Sequence, residues 1–446
     1  MHERAEHPFA EEARSVESLL ADASIGVARV LGRALDGADL TVDEGVLLFQ
    51  AAGSDLLATV HAANELRRRT VGDRVTYVVN RNINFTNVCI KRCGFCAFSR
   101  DYRVEEGYLL PTEEIVRRAQ EAWELGATEV CIQAGLPPQM EGDLYIRLTR
   151  AIKEVLPEMH IHGFSPEEVL YGSVRSRMSI REYLAELKEA GVGSLPGTSA
   201  EILDQEIRDR ISPGRIRVEE WVGVITTAHE LGIPTTSTIM YGHVEDDHHK
   251  ARHLALLRDI QKTSGGFTEF VPLSFVHTEA PMVSRQTVPG VRRGATRDEV
   301  IRMHAVSRLF LNHWIPNLQV SWVKEGLDMS RVLLSAGVND MGGTLMNESI
   351  STAAGAPFGQ LVSPATFRKL IREAGRAPAE RHTTYRIRRV FGREDGASEP
   401  LDAVGSSAEE RFGSYRELIK ASDYRYRHPR HPAQEAKAVE IEDEPA

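Results

Sequence analysis

At 446 residues the chain exceeds the usual size of one hydrophobic core, so one large α/β barrel with appendages, or two to three domains, is expected. Hydrophobic residues make up 42% and charged residues 26%, which is an ordinary globular composition and excludes a structureless chain. A formal net charge of -10 argues against a nucleic-acid partner, because phosphate backbones are held by clustered Lys and Arg.

The opening stretch MHERAEHPFAEEARSVESLL has no basic region leading into an apolar core, so no secretory signal is expected there. No run approaches the ~20 apolar residues of a membrane span. Three of the four cysteines fall within eight residues, which is no disulfide framework and fits thiolates that bind metal in a reducing cytoplasm.

Residues 1–72 read as an N-terminal helical extension. Thr41 and Glu44 form an S/T-x-x-E capping box ahead of Val46, Leu47 and Phe49. A second helix follows, with Leu56, Leu57, Val60 and Ala63 at helical spacing and Arg67 to Arg69 at the end where a helix dipole favours cations.

From about Val75 short β-like runs alternate with capped amphipathic helices, the rhythm of βα units on a parallel sheet. The candidate strands are VTYVVNRNI, TEVCIQAG, MHIHGF, VGSLPG, TTSTIMYG, TEFVPLSF, NLQVSW and a weak last segment near Ser335 to Asn339. The first helix between them starts at Pro111-Thr112, carries Ile115, Ala119, Ala122 and Trp123, and ends at Gly126. Eight such repeats make residues 73–390 an α/β fold, a (β/α)8 TIM-type barrel, complete or nearly so. Residues 391–446 read as an irregular, polar, partly mobile C-terminal tail with no function placed on it.

Directly after the first strand, at the C-terminal mouth where barrel active sites lie, stand Cys89, Cys93 and Cys96. Three soft thiolates suit an iron–sulfur cubane, and a cubane held by only three leaves one iron open. The plainer alternative is a structural zinc site closed by a fourth ligand such as Cys131 or a His. Structural zinc sites are typically built from paired two-ligand knuckles, and here there is one compact triplet.

The spacing Cys-x-x-x-Cys-x-Phe-Cys resembles the signature of the radical S-adenosylmethionine (SAM) superfamily. That resemblance implies a 4Fe-4S cluster whose open iron chelates SAM and cleaves it to start radical chemistry. Longer strings resemble one branch, the enzymes of deazaflavin and futalosine-menaquinone synthesis: NRNINFTNVCIKRCGFCAFSRD, CIQAGLPP, IHGFSPEEVLYG, PGTSAEIL, GIPTTSTIMYGHVED and GGFTEFVPLSFVHTEAPM. PGTSAEIL together with GGFTEFVPLSFVHTEAP is most similar to the tyrosine-using half of FO synthase. The implied substrates are L-tyrosine and 5-amino-6-(D-ribitylamino)uracil, and the implied reaction is a carbon–carbon bond-forming transfer of a 4-hydroxybenzyl group. A second radical SAM subunit that completes FO and a one-electron donor are the implied partners; aminofutalosine synthase is the nearest rival, and a non-catalytic iron–sulfur or zinc-stabilised protein the rival of another class.

The SAM contacts expected on this basis are Phe95, Gln133, Gly135 and Glu201. Relatives carry a Gly-Gly pair after the second strand where this chain has Ala134-Gly135, a departure that adds only a methyl group. Strand alternation puts Asn80, Asn82 and Asn84 on one face of the first strand, and a row of amides facing a core needs partners. Asn82 and Asn84 near the mouth are therefore expected to meet substrate or SAM, whereas Asn80 satisfies neighbouring polar groups. His162, Tyr241, His243 and Glu269, at or near strand ends, complete the expected substrate contacts. The cluster HVEDDHHKARH invites a metal reading, but its polarity reads better as a solvated helix.

Overall fold

The computed structural model describes residues 15–392, 396, 398–404 and 408–428. Its strands are β1 (Arg74–Val78), β2 (Asn80–Ile83), β3 (Glu129–Ile132), β4 (His160–His162), β5 (Val192–Ser194), β6 (Thr235–Tyr241), β7 (Phe267–Ser274), β8 (Asp340–Gly343), β9 (Ala377–Arg381) and β10 (Ile387–Val390). The first two are halves of one run interrupted at Val79.

Parallel pairing runs β2-β3-β4-β5, and a bridge between Leu195 and Thr235 carries it on to β6 and β7. Phe270 then bridges Leu318, Gln319 bridges Asp340, and β8 pairs with β1, which closes the ring. The seventh stave is only this short segment at 318–319. With helices between the staves this is a closed (β/α)8 barrel, the expected fold class.

The last stave begins at Asp340, just beyond the segment expected near Ser335 to Asn339. Residues 335–337 are instead the stop of the preceding helix: Ser335 N–H and Ala336 N–H donate back to Val332 and Leu333, and Gly337 takes φ +97°. The helix Thr112–Glu124 ends with Gly126 at φ +90°, as the sequence requires, and buries Ile115, Ala119 and Ala122. Trp123, expected on that apolar face, is turned outward and 41% exposed.

The N-terminal helices Val16–Asp22, Ile25–Leu35, Val42–Phe49 and Ser54–Val71 pack on each other and on the barrel helices Asp247–Ser264 and Arg297–Leu311. The predicted capping box forms, with Glu44 N–H donating to Thr41 Oγ1 at 3.2 Å and Thr41 N–H to the Glu44 carboxylate at 2.8 Å. Among the described residues no single helix is long and apolar enough to cross a membrane.

Two C-terminal pieces bear on the site, a hairpin at the end of the expected barrel and part of the expected irregular tail. Strand β9 pairs parallel to β1 and returns as the antiparallel β10, so the turn after Arg381 enters the N-terminal end of the barrel. Further on, Tyr426 N–H donates to Gly107 O, Leu109 N–H to Tyr424 O, and the Tyr415 hydroxyl to Phe98 O at 3.1 Å. Residues 408–428 thus strap the loop that carries the cysteines.

Candidate active site

A cavity of about 420 Å³ runs along the barrel axis, from the cysteine loop at the mouth to β9 at the floor. Its mouth is set by backbone hydrogen bonds. Gly135 N–H donates to Thr86 O at 2.8 Å, Cys89 N–H to Arg100 O at 3.0 Å, and Gly94 N–H to Ile211 O at 2.8 Å. A Cβ built on Gly135 would run into the Val88 carbonyl, so only glycine lets the second βα loop lie this close to the cysteine loop.

Cys89, Cys93 and Cys96 all line the mouth. Burial pushes the Cys89 thiol above its ordinary value and the Cys93 thiol up to about 12, opposed at Cys93 by Arg215, whose Nη1 lies 3.4 Å from the sulfur. Among the described residues no three His, Cys, Asp or Glu side chains converge on one ion-sized point. A mononuclear zinc site needs that convergence, whereas the thiolates of a cubane each hold a different iron. Three soft donors spread around one buried mouth therefore fit a cluster better than a lone ion.

Arg215 was not singled out by the sequence, yet it organises this region. Its guanidinium meets Glu201 Oε1 at 3.2 Å, Glu167 Oε2 at 3.4 Å and Ser199 Oγ at 2.7 Å, and lies over the Phe95 ring at 5.4 Å. The surrounding anions hold its pKa well above the ordinary arginine value despite burial.

The expected SAM contacts Phe95, Gln133, Gly135 and Glu201 all line the cavity. Glu201 lies in a loop at φ +40°, not in a helical first turn, and its two oxygens are taken by Arg208 and Arg215. Gln133 accepts from Thr198 Oγ1 at 3.0 Å. Ala134 keeps an ordinary φ and donates its N–H to Glu168 at 2.9 Å, so the extra methyl is tolerated.

Among the expected substrate contacts, Asn82, His162 and Glu269 stand on the wall. Asn82 Oδ1 is buried without a hydrogen-bond partner. Asn84 is placed just behind the wall; its amide donates to Gln133 O at 2.8 Å while its Oδ1 also lacks a partner. Asn80 behaves as expected, filled by Glu129 at 2.8 Å and Leu345 N–H at 2.9 Å. His162 Nδ1 and His160 Nε2 share Ser194 Oγ, each at 2.7 Å.

Tyr241 and His243 are not brought to the wall. Alternation along β6 turns Thr236, Thr238 and Met240 inward and Tyr241 outward. His243 closes a local turn, contacting Met240 O at 3.0 Å and accepting Val244 N–H at 2.8 Å. HVEDDHHKARH forms a helix capped by Asp246, as expected in kind, but His253 is buried rather than solvated: it accepts Leu203 N–H at 3.0 Å and donates to Thr238 O at 2.9 Å.

Of the floor, sequence reasoning named only Glu269; Arg381, Asp340 and Tyr385 were missed. Arg381 forks onto Asp340 at 2.6 and 2.9 Å and reaches Glu269 at 3.4 Å, while the Tyr385 hydroxyl donates to Glu269. Burial raises the Glu269 carboxyl, with Arg381 opposing it. A buried charge without such pairing is costly, so the fork makes the polar floor possible.

Residues 83–257 match the Radical SAM superfamily and residues 264–393 the CofH/MqnC C-terminal region. The chain is similar to the 5-amino-6-(D-ribitylamino)uracil--L-tyrosine 4-hydroxyphenyl transferase of Methanopyrus kandleri, 47% identical over 78% of this chain and 94% of that one. It is also similar to the FO synthase of Streptomyces coelicolor, 46% identical over 78% of this chain but 40% of that longer protein. In fold it is similar to the FeFe-hydrogenase maturase HydG from Carboxydothermus hydrogenoformans, with TM-score 0.64 and 16% identity over 91% of this chain and 90% of that one. The chain belongs to the radical SAM superfamily, and within it to the family of the 5-amino-6-(D-ribitylamino)uracil--L-tyrosine 4-hydroxyphenyl transferases.

Proposed function

We propose that this enzyme fragments L-tyrosine and attaches its 4-hydroxybenzyl group to 5-amino-6-(D-ribitylamino)uracil, with release of 2-iminoacetate. The observation that carries this reading is the 46–47% identity to transferases of that name over nearly their whole length. Cys89, Cys93 and Cys96 would hold a 4Fe-4S cluster through three irons and leave the fourth for SAM. When bound, the cluster and SAM supply the hydrogen-abstracting radical.

The chain's own residues supply confinement and polarity. Arg215 sets a fixed positive charge beside Cys93, which favours the thiolate a ligand must be. Phe95, Gln133, Gly135 and Glu201 face the space next to the cysteines and are the proposed SAM wall. Asn82 offers an orphan acceptor to a substrate N–H or O–H, and burial of that acceptor makes the bond worth about 1–3 kcal/mol. The β9 turn plugs the floor, so a reactive fragment meets protein rather than bulk water.

The Streptomyces FO synthase is more than twice as long as the part matched here. This fits a division of labour in which a second radical SAM subunit closes the ring to FO. Supplying the anaerobically reconstituted protein with SAM, reductant, tyrosine and the ribitylaminouracil tests the reading. A tyrosine-dependent hydroxybenzyl adduct is expected; an adduct formed only with an aminofutalosine synthase substrate would transfer the assignment to that rival.

A further inference from the structure

Lys324 stands third in the helix Trp322–Leu333, which follows the seventh stave at the C-terminal end of the barrel, and it lines the central cavity. Its backbone is fixed: the N–H donates to Ser321 O at 3.0 Å, and Trp322 Nε1 donates to Gly343 O at 2.8 Å. Its ammonium group has no hydrogen-bond or ion-pair partner among the described residues. The carboxylates that act on it from a distance are Glu348 and Glu325. Glu348 is engaged elsewhere, accepting Ser351 N–H at 2.8 Å and Thr352 N–H at 3.2 Å, and Glu325 accepts from Ser274.

A cation lining a protein cavity is ordinarily matched by a protein anion, as Arg381 is by Asp340 and Arg215 by Glu201 in this same barrel. Lys324 is the exception on the cavity wall, and burial lowers its pKa. A cation left unmatched at a cavity wall is a place for a ligand anion. Of the two substrates proposed above, the ribitylaminouracil carries hydroxyls, amines and a neutral ring, and tyrosine carries a carboxylate.

We propose that Lys324 is the carboxylate anchor of the amino-acid substrate, holding it by a charge-assisted bond at the end of the seventh stave. The inference rests on the tyrosine-using reading of the site. It goes further by naming the group that selects an amino acid over the corresponding amine.

The test uses the reconstituted holoenzyme with SAM bound and measures the affinity of L-tyrosine, of tyramine, which lacks the carboxylate, and of 4-hydroxyphenylpropionate, which keeps it. Unmodified enzyme is expected to bind tyrosine and 4-hydroxyphenylpropionate in preference to tyramine. Lys324→Met is expected to weaken tyrosine by about ten- to a hundredfold, to leave tyramine unchanged and so to erase the preference. Lys324→Arg is expected to recover part of the loss. The melting temperature of ligand-free Lys324→Met is expected to be no lower than that of the unmodified protein, because it puts a methionine on the half-buried cavity wall in place of an unmatched charge; this separates loss of the anchor from loss of fold. Lys324→Met with an intact tyrosine-over-tyramine preference would overturn the inference while leaving the functional reading in place. A fall in SAM affinity with tyrosine affinity unchanged would also overturn it, by assigning Lys324 to the cofactor. Unmodified enzyme that binds no tyrosine would overturn both.

Discussion

Gly135 shows how one residue couples the barrel to its cysteines. The loop after β3 lies so close to the Val88 carbonyl that any side chain at 135 must push the cysteine loop away. Gly135→Ala is therefore expected to lower iron incorporation several-fold while leaving the barrel folded, as read by iron analysis beside circular dichroism. Unchanged iron content would show that the close approach is dispensable. The three cysteines were legible because their spacing is local and carries its chemistry on its face. Arg215 and Arg381 were not, because their charges depend on partners far along the chain: Arg381 on Asp340 and Glu269, Arg215 on Glu167. Lys324 was not legible either, because its place on the cavity wall is set by the closure of the barrel around the short seventh stave. Tyr241 and His243 were expected at the site because they end a strand, but alternation along β6 and a tight turn after it direct both elsewhere.

Strands and helices divide the same way. The barrel staves announce themselves through alternation and flanking turns, and seven of the expected strand positions hold. Strand β9 does not, since Ala377-Pro378-Ala379-Glu380-Arg381 has no apolar alternation and is recruited by the edge of β1. The strap at 408–428 was hidden for a related reason. Its composition is polar, and sparse aromatics such as Phe412, Tyr415, Tyr424 and Tyr426 help to tie it down, so nothing periodic marks it as packed. Tyr415 is buried, donates to Phe98 O, accepts from Asn87 and lies under Arg100. Tyr415→Ala is expected to loosen the cysteine loop selectively: backbone hydrogen exchange should rise over residues 86–110 and stay unchanged over β6 and β7. Faster oxidative loss of iron should accompany it. Uniform exchange across the barrel would place the effect on global stability, and no change would remove the strap from the account of the site.

Across the whole molecule, titration sets how stability responds to acid. Burial pulls His229 and His304 down to about 4 and His253 to about 3, so each stays neutral in the fold while its unfolded counterpart protonates near 6.5. Their contribution is present above 6.5 and is lost as pH falls through the folded values. Buried carboxyls act the other way: Glu168, raised by burial to about 7, and Glu269, Glu325 and Glu348, also raised, contribute below 4.5 and lose that contribution as pH rises. The lowered histidines and raised carboxyls oppose each other, so the net fall between about pH 6.5 and 4.5 is shallow, about 1.4 kcal/mol per pH unit for each proton by which the histidines exceed the carboxyls. Below 4.5 the fall steepens, because Glu65 and Glu114, each held at about 2 by arginines in the fold, protonate near 4.5 in the unfolded chain. His253→Gln, which removes one of these buried histidines, is expected to flatten the shallow region in melting temperatures taken across this range. A slope that stays the same would show that His253 does not titrate with unfolding.

What the cavity does with tyrosine is read most directly from the fate of the amino acid's Cβ. Tyrosine carrying a heavy-isotope label at Cβ is given to the reconstituted enzyme with SAM, reductant and 5-amino-6-(D-ribitylamino)uracil, and the products are separated by mass. The expected result is a uracil adduct that carries the label, formed in step with 5′-deoxyadenosine and lost in the Cys96→Ala protein. Release of 5′-deoxyadenosine with no label in any uracil product would contradict it.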